Sequence, residues 1–285
     1  PCLTEPLNSI TPTVGRSKRK KPKEKMTDFL GKIEKKLLYI ADLSDPADLI
    51  DNMMKNIRSE GIDSQYDDAE LEEKLITRAI RNLEKGSSPR VAFVGMTNSG
   101  KSKLINALWG SQVADSSIQP NLTDQIIAYR FPSELIVYDT PGVLSNRGFE
   151  NITRLFLGLK PLEQQPKVKI PFRYYGEPDI ALGPENVREE APIDIVLWVV
   201  DFSYPSYAFQ GIDVLINNFY HELKGAYSEK LIVVGTHLDK VDELDRNELR
   251  EGWNSFLGSD ILLVSSATNE GIKGLVFKLF STMPR

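Results

Sequence analysis

Two glycines, a lysine and a hydroxyl residue stand at a spacing suited to holding phosphate: Gly95-Met96-Thr97-Asn98-Ser99-Gly100-Lys101-Ser102 reads G-x-x-x-x-G-K-S. In such a loop, successive backbone N–H groups point inward at a polyphosphate, and a following helix N-terminus adds partial positive charge. Gly95, Asn98, Ser99, Gly100, Lys101, Ser102 and Lys103 are therefore candidate phosphate contacts. Lys101 would reach the β- and γ-phosphates, and the Ser102 hydroxyl would hold Mg²⁺. The motif needs a strand before it and a helix after it. The apolar run Val91-Ala92-Phe93-Val94 predicts the strand, and Leu104-Ile105-Asn106-Ala107-Leu108-Trp109 predicts the helix.

Three further words lie at predicted strand ends. Leu135-Ile136-Val137-Tyr138 runs into Asp139-Thr140-Pro141-Gly142. Asp139 is placed to hold Mg²⁺ through water, and the Gly142 N–H to sense the γ-phosphate. Leu231-Ile232-Val233-Val234-Gly235 leads into Thr236-His237-Leu238-Asp239. A carboxylate there accepts from guanine N1–H and from its exocyclic amine, which adenine does not offer. Finally, Ile261-Leu262-Leu263-Val264 is followed by Ser265-Ser266-Ala267-Thr268. The turn at Ser266 and Ala267 would supply a backbone N–H, that of Ala267 first, to guanine O6.

In this order the four words resemble those of the translation-factor-related P-loop GTPases, most closely the Era-like group. The resemblance covers about residues 90 to 284. It implies GTP and GDP as ligands, Mg²⁺ as cofactor and hydrolysis of GTP to GDP and phosphate by a molecular switch. It also assigns a switch threonine: Era-like proteins commonly carry Thr-Thr between the first helix and the next strand, and Leu122-Thr123 puts Thr123 in the Mg²⁺ shell of the GTP state. The asparagine of the phosphate loop matches the G-x-x-N-x-G-K-S form of the potassium-stimulated members. Asn98 therefore has two open roles, a K⁺ ligand that offsets transition-state charge or a stabiliser of the loop.

Two positions depart from the pattern that the resemblance leads one to expect. Val143 follows Asp-Thr-Pro-Gly where many GTPases carry a water-orienting glutamine, so hydrolysis should be slow without K⁺, a dimer partner or an activator. His237 replaces the usual lysine of the guanine word, whose stem lies across the base; Thr-His-Leu-Asp is also similar to the wording of Roc domains. His221 is expected on a helix surface. Two other readings stay open at this level, a GTP-binding scaffold with weak catalysis and a membrane-associated dynamin-like GTPase.

The positioning elements follow from periodicity. From Arg90 onward strands and helices alternate, which predicts an α/β fold with a mostly parallel sheet covered on both faces. Six strands are expected near 90–94, 125–131, 134–138, 194–200, 230–235 and 260–264, with helices near 101–109, 149–159, 208–224, 246–256 and 271–281. By the resemblance, the second and third strands, joined at Pro132-Ser133, are antiparallel. The G domain spans 87–285 and carries an insertion at about 144–192. That insertion opens with a helix bearing Phe149, Ile152, Leu155 and Leu157 and becomes proline-rich, a candidate effector or dimer surface.

Residues 26–86 form a small all-α extension with three helical patterns, built on Phe29, Ile33 and Leu37, on Ile50, Met53 and Ile57, and on Leu71, Leu75 and Leu83. Residues 1–25 are expected to be a disordered tail ending in the basic run Arg16–Lys25. A formal net charge of −5 argues against general nucleic-acid affinity, so any RNA, ribosome or acidic-lipid contact is assigned to that tail. A second copy meeting through the switch segments is the other candidate partner. The longest apolar run, Ile195–Val200, is too short for a transmembrane helix of about 20 residues. The single Cys2 suits a reducing, cytoplasmic setting, and in a eukaryote a nuclear or organellar one is compatible.

Overall fold

The computed structural model describes residues 89–110, 112–114, 123–130, 135–162, 169–204 and 213–282. The expected basic tail, the helical extension 26–86, Leu122 and the Pro132-Ser133 turn lie outside the described residues. Fourteen elements run in the order β1 (Arg90–Gly95), α1 (Lys101–Trp109), β2 (Ile126–Arg130), β3 (Ile136–Asp139), α2 (Arg147–Phe156), β4 (Ile170–Tyr174), β5 (Ile180–Leu182), α3 (Val187–Glu190), β6 (Ile195–Asp201), α4 (Asp213–Tyr227), β7 (Leu231–Thr236), α5 (Glu243–Leu257), β8 (Ile261–Leu263) and α6 (Ile272–Thr282).

The sheet has eight strands in the order β5-β4-β2-β3-β1-β6-β7-β8, two more than the six expected. β2 is antiparallel to β3, from Ile127 opposite Asp139 to Arg130 opposite Ile136, as expected. The extra pair comes from the insertion. β4 lies parallel to β2 and antiparallel to β5, so this proline-rich segment extends the sheet and does not form a free loop. Pro171 fits because it precedes the β4–β2 ladder, which begins at Phe172, so its missing N–H breaks no bond to β2.

Apolar side chains on alternate faces make two cores. Val91, Phe93, Leu197 and Val199 of β1 and β6 face α1 and α6. Ala92, Val94, Val196 and Trp198 of the same strands face α2, α4 and α5. Strand β6 is apolar on both faces because it lies inside the sheet, and each such buried side chain contributes roughly 1.5–3 kcal/mol. β1, β3, β6, β7 and β8 are mutually parallel, so Gly95, Asp139, Asp201, Thr236 and Leu263 arrive at one edge. Ligands of open α/β sheets bind beyond that edge.

Helix α2 buries a polar set on its inner side. The structure buries Glu150, Asn151, Thr153, Arg154 and Phe156, and leaves Phe149, Ile152 and Leu155 only half-buried. Asn146 caps the helix, its Oδ1 accepting from the N–H groups of Gly148 (2.8 Å) and Phe149 (3.2 Å). His221 lies exposed on α4, as expected.

Candidate functional site

The phosphate loop joins β1 to α1 and is tight from its first residue. A β-carbon on Gly95 would come within 2.1 Å of the Val199 carbonyl on β6, so only glycine lets these strands close here. Gly100, at φ 87°, turns the chain into α1. Lys101 is buried, and its Nζ donates to the carbonyls of Gly95 (3.1 Å) and Met96 (2.9 Å). Burial lowers its pKa to about 8, against the opposing pull of the Asp139 charge. Ser102 Oγ donates to Asp139 Oδ2 at 2.8 Å, which joins two sequence words 37 residues apart. Asp139 is buried too: desolvation raises its pKa, while Lys101, Ser102 and the Thr140 N–H oppose that rise. Its Oδ1 has no partner among the described residues. A buried carboxylate oxygen left unpaired beside a serine hydroxyl at a phosphate loop has the donor chemistry of a Mg²⁺ site.

Asn98 is exposed at the crest of the loop in left-handed conformation, φ 64°. Lys103 is exposed in the first turn of α1. Thr123 is half-buried three residues before β2 and, among the described residues, makes no hydrogen bond to Ser102 or Asp139.

The Asp139–Gly142 segment lies directly against the loop. Thr140 Oγ1 donates to the Phe93 carbonyl at 2.8 Å, and the Val143 N–H donates to the Gly95 carbonyl at 3.1 Å. Thr97 Oγ1 and Ser145 Oγ are 2.6 Å apart. A β-carbon on Gly142 would lie 2.3 Å from Thr97 Oγ1 and 2.8 Å from the Thr97 backbone. Val143 is fully buried, so its side chain faces the core and not a water molecule.

Helix α2 grips this segment from behind. Thr153 Oγ1 donates to the Pro141 carbonyl at 3.0 Å, and the Leu144 N–H donates to Glu150 Oε2 at 3.1 Å. Arg154 Nε donates to Glu150 Oε1 at 2.8 Å, and its NH1 to Glu222 Oε2 on α4 at 2.6 Å. None of these polar contacts was legible from apolar periodicity.

At the other end, Thr236 Oγ1 donates to the Ser99 carbonyl at 2.6 Å, with the Val200 carbonyl also 3.0 Å away. The end of β7 thus braces the phosphate loop through its threonine. His237 has φ 61°, and its Nδ1 lies 3.1 Å from Asp201 Oδ2. Burial alone would raise the Asp201 carboxyl; the hydrogen bonds from His237 and Ser203 outweigh it and hold the carboxyl below its usual range. Asp239 is exposed, with Oδ1 accepting from Ser265 Oγ at 2.6 Å. Ser265 Oγ in turn accepts from the N–H groups of Ala267 (3.2 Å) and Thr268 (3.1 Å).

The structure therefore brings Lys101, Ser102, Asp139 and Gly142 together around the loop after β1, and Asp239, Ser265 and Ala267 together after β7 and β8. Sequence reasoning gave no role to Ser265, Asp201 or Ser203. Ser265 Oγ donates to Asp239, a contact between two strand ends that the sequence does not show. Asp201 closes β6 and Ser203 follows it, where the only signal was an acidic residue ending an apolar run.

Residues 90–236, just over half of the chain, match the family model described as 50S ribosome-binding GTPase. The "Probable GTP-binding protein EngB" of Rickettsia felis is 27% identical over 202 residues, covering 69% of this chain and 80% of that one. "GTPase Era" of a Nocardioides species is 42% identical over 69 residues, 21% of this chain and 22% of that one. Among solved structures, Toc33 from Arabidopsis thaliana with Mg²⁺ and GMPPNP is 17% identical, covers 77% of this chain and 94% of its own, and has a TM-score of 0.47.

Proposed function

This chain belongs to the family described as 50S ribosome-binding GTPase, a GTP-binding, GTP-hydrolysing switch, and from that premise we propose how its residues divide the work. Lys101 and the N–H groups from Asn98 to Lys103 receive the phosphates. Ser102 and Asp139 would hold Mg²⁺, with Thr123 as a further ligand of the GTP state. The ion would neutralise phosphate charge during transfer. Gly142 senses the γ-phosphate through its N–H. Thr236 fixes the loop, Asp239 reads guanine N1–H and the exocyclic amine, and the Ala267 N–H meets O6. The observation that carries this reading is the contact of Ser102 Oγ with Asp139 Oδ2, which leaves Oδ1 buried and unpaired at the mouth of the loop.

The proposal includes the switch. With the γ-phosphate present, Thr123 and Gly142 are both engaged, and hydrolysis releases them. Gly142→Ala tests the second contact. Its methyl meets the Thr97 backbone, so the segment must back away from the loop. GTP turnover is expected to fall by about 10²-fold, the scale of one lost transition-state donor, while GDP affinity changes little. Single-turnover rates and GDP calorimetry on the same preparation check it.

Val143 is buried and orients no water, so hydrolysis depends on something further. A monovalent cation beside the exposed Asn98 is one source of charge, and a second copy or an activating protein is another. In the first case GTP turnover in KCl is expected to exceed that in NaCl by at least tenfold, and Asn98→Ala abolishes the difference. Equal rates in the two salts would leave Asn98 as a loop stabiliser. The family description and the basic run Arg16–Lys25 support a ribosomal RNA partner for this chain.

A further inference from the structure

We propose that Asp201 is a positioning residue of the guanine site, which acts by holding His237 where the family pattern places a lysine. The inference rests on the reading that Asp239 and its neighbours receive the base.

A lysine at this position needs no orientation, since its stem lies flat on an apolar face and its charge is permanent. An imidazole is short and planar, and it is useful only when its ring is fixed. Three observations show that it is. His237 Nδ1 lies 3.1 Å from Asp201 Oδ2, and both side chains are only 14% exposed. Asp201 is itself held, because its Oδ1 accepts from the Ser203 N–H (3.0 Å) and from Ser203 Oγ (2.6 Å). The backbone of the same two segments is joined as well, the Phe202 N–H donating to the Thr236 carbonyl at 3.1 Å. With Nδ1 committed to Asp201, the ring plane is set and Nε2 is turned the other way.

This arrangement also explains why a non-glycine residue holds φ 61° here. Histidine is among the residues that tolerate left-handed backbone, and the contact of its Nδ1 with Asp201 supplies the surrounding constraint such a conformation needs. The adjacent Thr236 Oγ1 grips the Ser99 carbonyl, so a fixed residue 237 also steadies the phosphate loop. Asp201 thus takes over part of what the lysine does alone elsewhere in the pattern.

A double-mutant cycle tests this, with GDP dissociation constants by calorimetry for the wild type, Asp201→Asn, His237→Lys and the double variant. Asp201→Asn is expected to weaken GDP about tenfold beside histidine, the scale of a charge-assisted hydrogen bond, and less than twofold beside lysine. Equal losses in the two backgrounds would mean that Asp201 merely shapes its own turn, and no loss in either would mean that it does nothing for the base; both overturn the inference. Should Asp201→Asn melt early, Ser203→Ala, which removes one of the two donors on Asp201, must show the same background dependence at smaller amplitude, and an equal effect in both backgrounds again overturns it. Asp239→Asn separates the two levels. If it leaves GDP affinity intact, the reading of the base end is wrong; if it abolishes GDP binding while Asp201→Asn has no effect, only the role of Asp201 fails.

Discussion

Arg154→Ala is expected to destabilise the protein by about 3–5 kcal/mol, the cost of stranding a buried charge. The reason lies in what the guanidinium holds. Arg154 and Glu150 are each 8% exposed, one helical turn apart and 2.8 Å from contact. Removal of the arginine leaves the Glu150 carboxylate in an apolar enclosure with the Leu144 N–H as its remaining partner. The Lys160 carbonyl, 3.2 Å from NH1, and the Phe219 ring, 4.9 Å from the guanidinium carbon, lose their partner too. Glu222 provides the contrast. It is 43% exposed and lies on the solvent side of the same arginine, so Glu222→Gln should cost no more than ~1 kcal/mol. Urea unfolding of the two variants checks the ordering, with Arg154→Ala expected to shift the midpoint and leave the slope unchanged. Reversal of the two magnitudes would show that the network is a surface ornament. Because Glu150 also holds the Leu144 N–H just beyond Gly142, Arg154→Ala should loosen the segment proposed to sense the γ-phosphate, and turnover should fall along with stability.

That network marks where the sequence stopped being readable. The phosphate loop was legible because its chemistry is carried by spacing: two glycines, a lysine and a serine must fall at fixed intervals whatever surrounds them. Asp139 was read from its place at the close of an apolar strand, and Asp239 from its place three residues beyond one. In helix α2 the apolar residues Phe149, Ile152 and Leu155 stay half-buried, while Glu150, Thr153 and Arg154 are turned inward, which the apolar pattern did not register. Periodicity registers apolar burial and is blind to a buried polar set whose members satisfy one another. β4 was hidden for a related reason. Pro171 belongs to a stretch read only as proline-rich, although Ile170 and Phe172 alternate inward around it and the proline sits just outside the ladder to β2. Ser265 and Asp201 depend on contacts between separate strand ends, which no local window contains.

Lys101→Ala is expected to have the largest effect on chemistry, a loss of GTP turnover on the order of 10²–10³-fold, with GDP affinity down roughly 10–100-fold. In the free protein the ammonium is tied to two carbonyls of its own loop, at 3.1 and 2.9 Å, in a buried position. Burial has brought its pKa to about 8. Phosphate arriving at that position favours the charged form, so the bound-state pKa must lie above the free value. The sign of the linkage follows: the charged lysine's contribution to binding is fully present below pH 8 and declines as pH rises through the free pKa toward the bound one. GDP affinity should therefore weaken by up to about tenfold per pH unit above that point, with net proton uptake on binding. Calorimetry in two buffers of different ionisation enthalpy measures the uptake directly. Lys101→Ala serves as the blank, because ionisation of the guanine itself persists in it while the lysine's share disappears. An identical pH slope in the variant would place the titrating group elsewhere and return Lys101 to an ordinary, solvated lysine. Loss of the slope together with loss of turnover would tie the buried ammonium to the phosphates it was placed to meet.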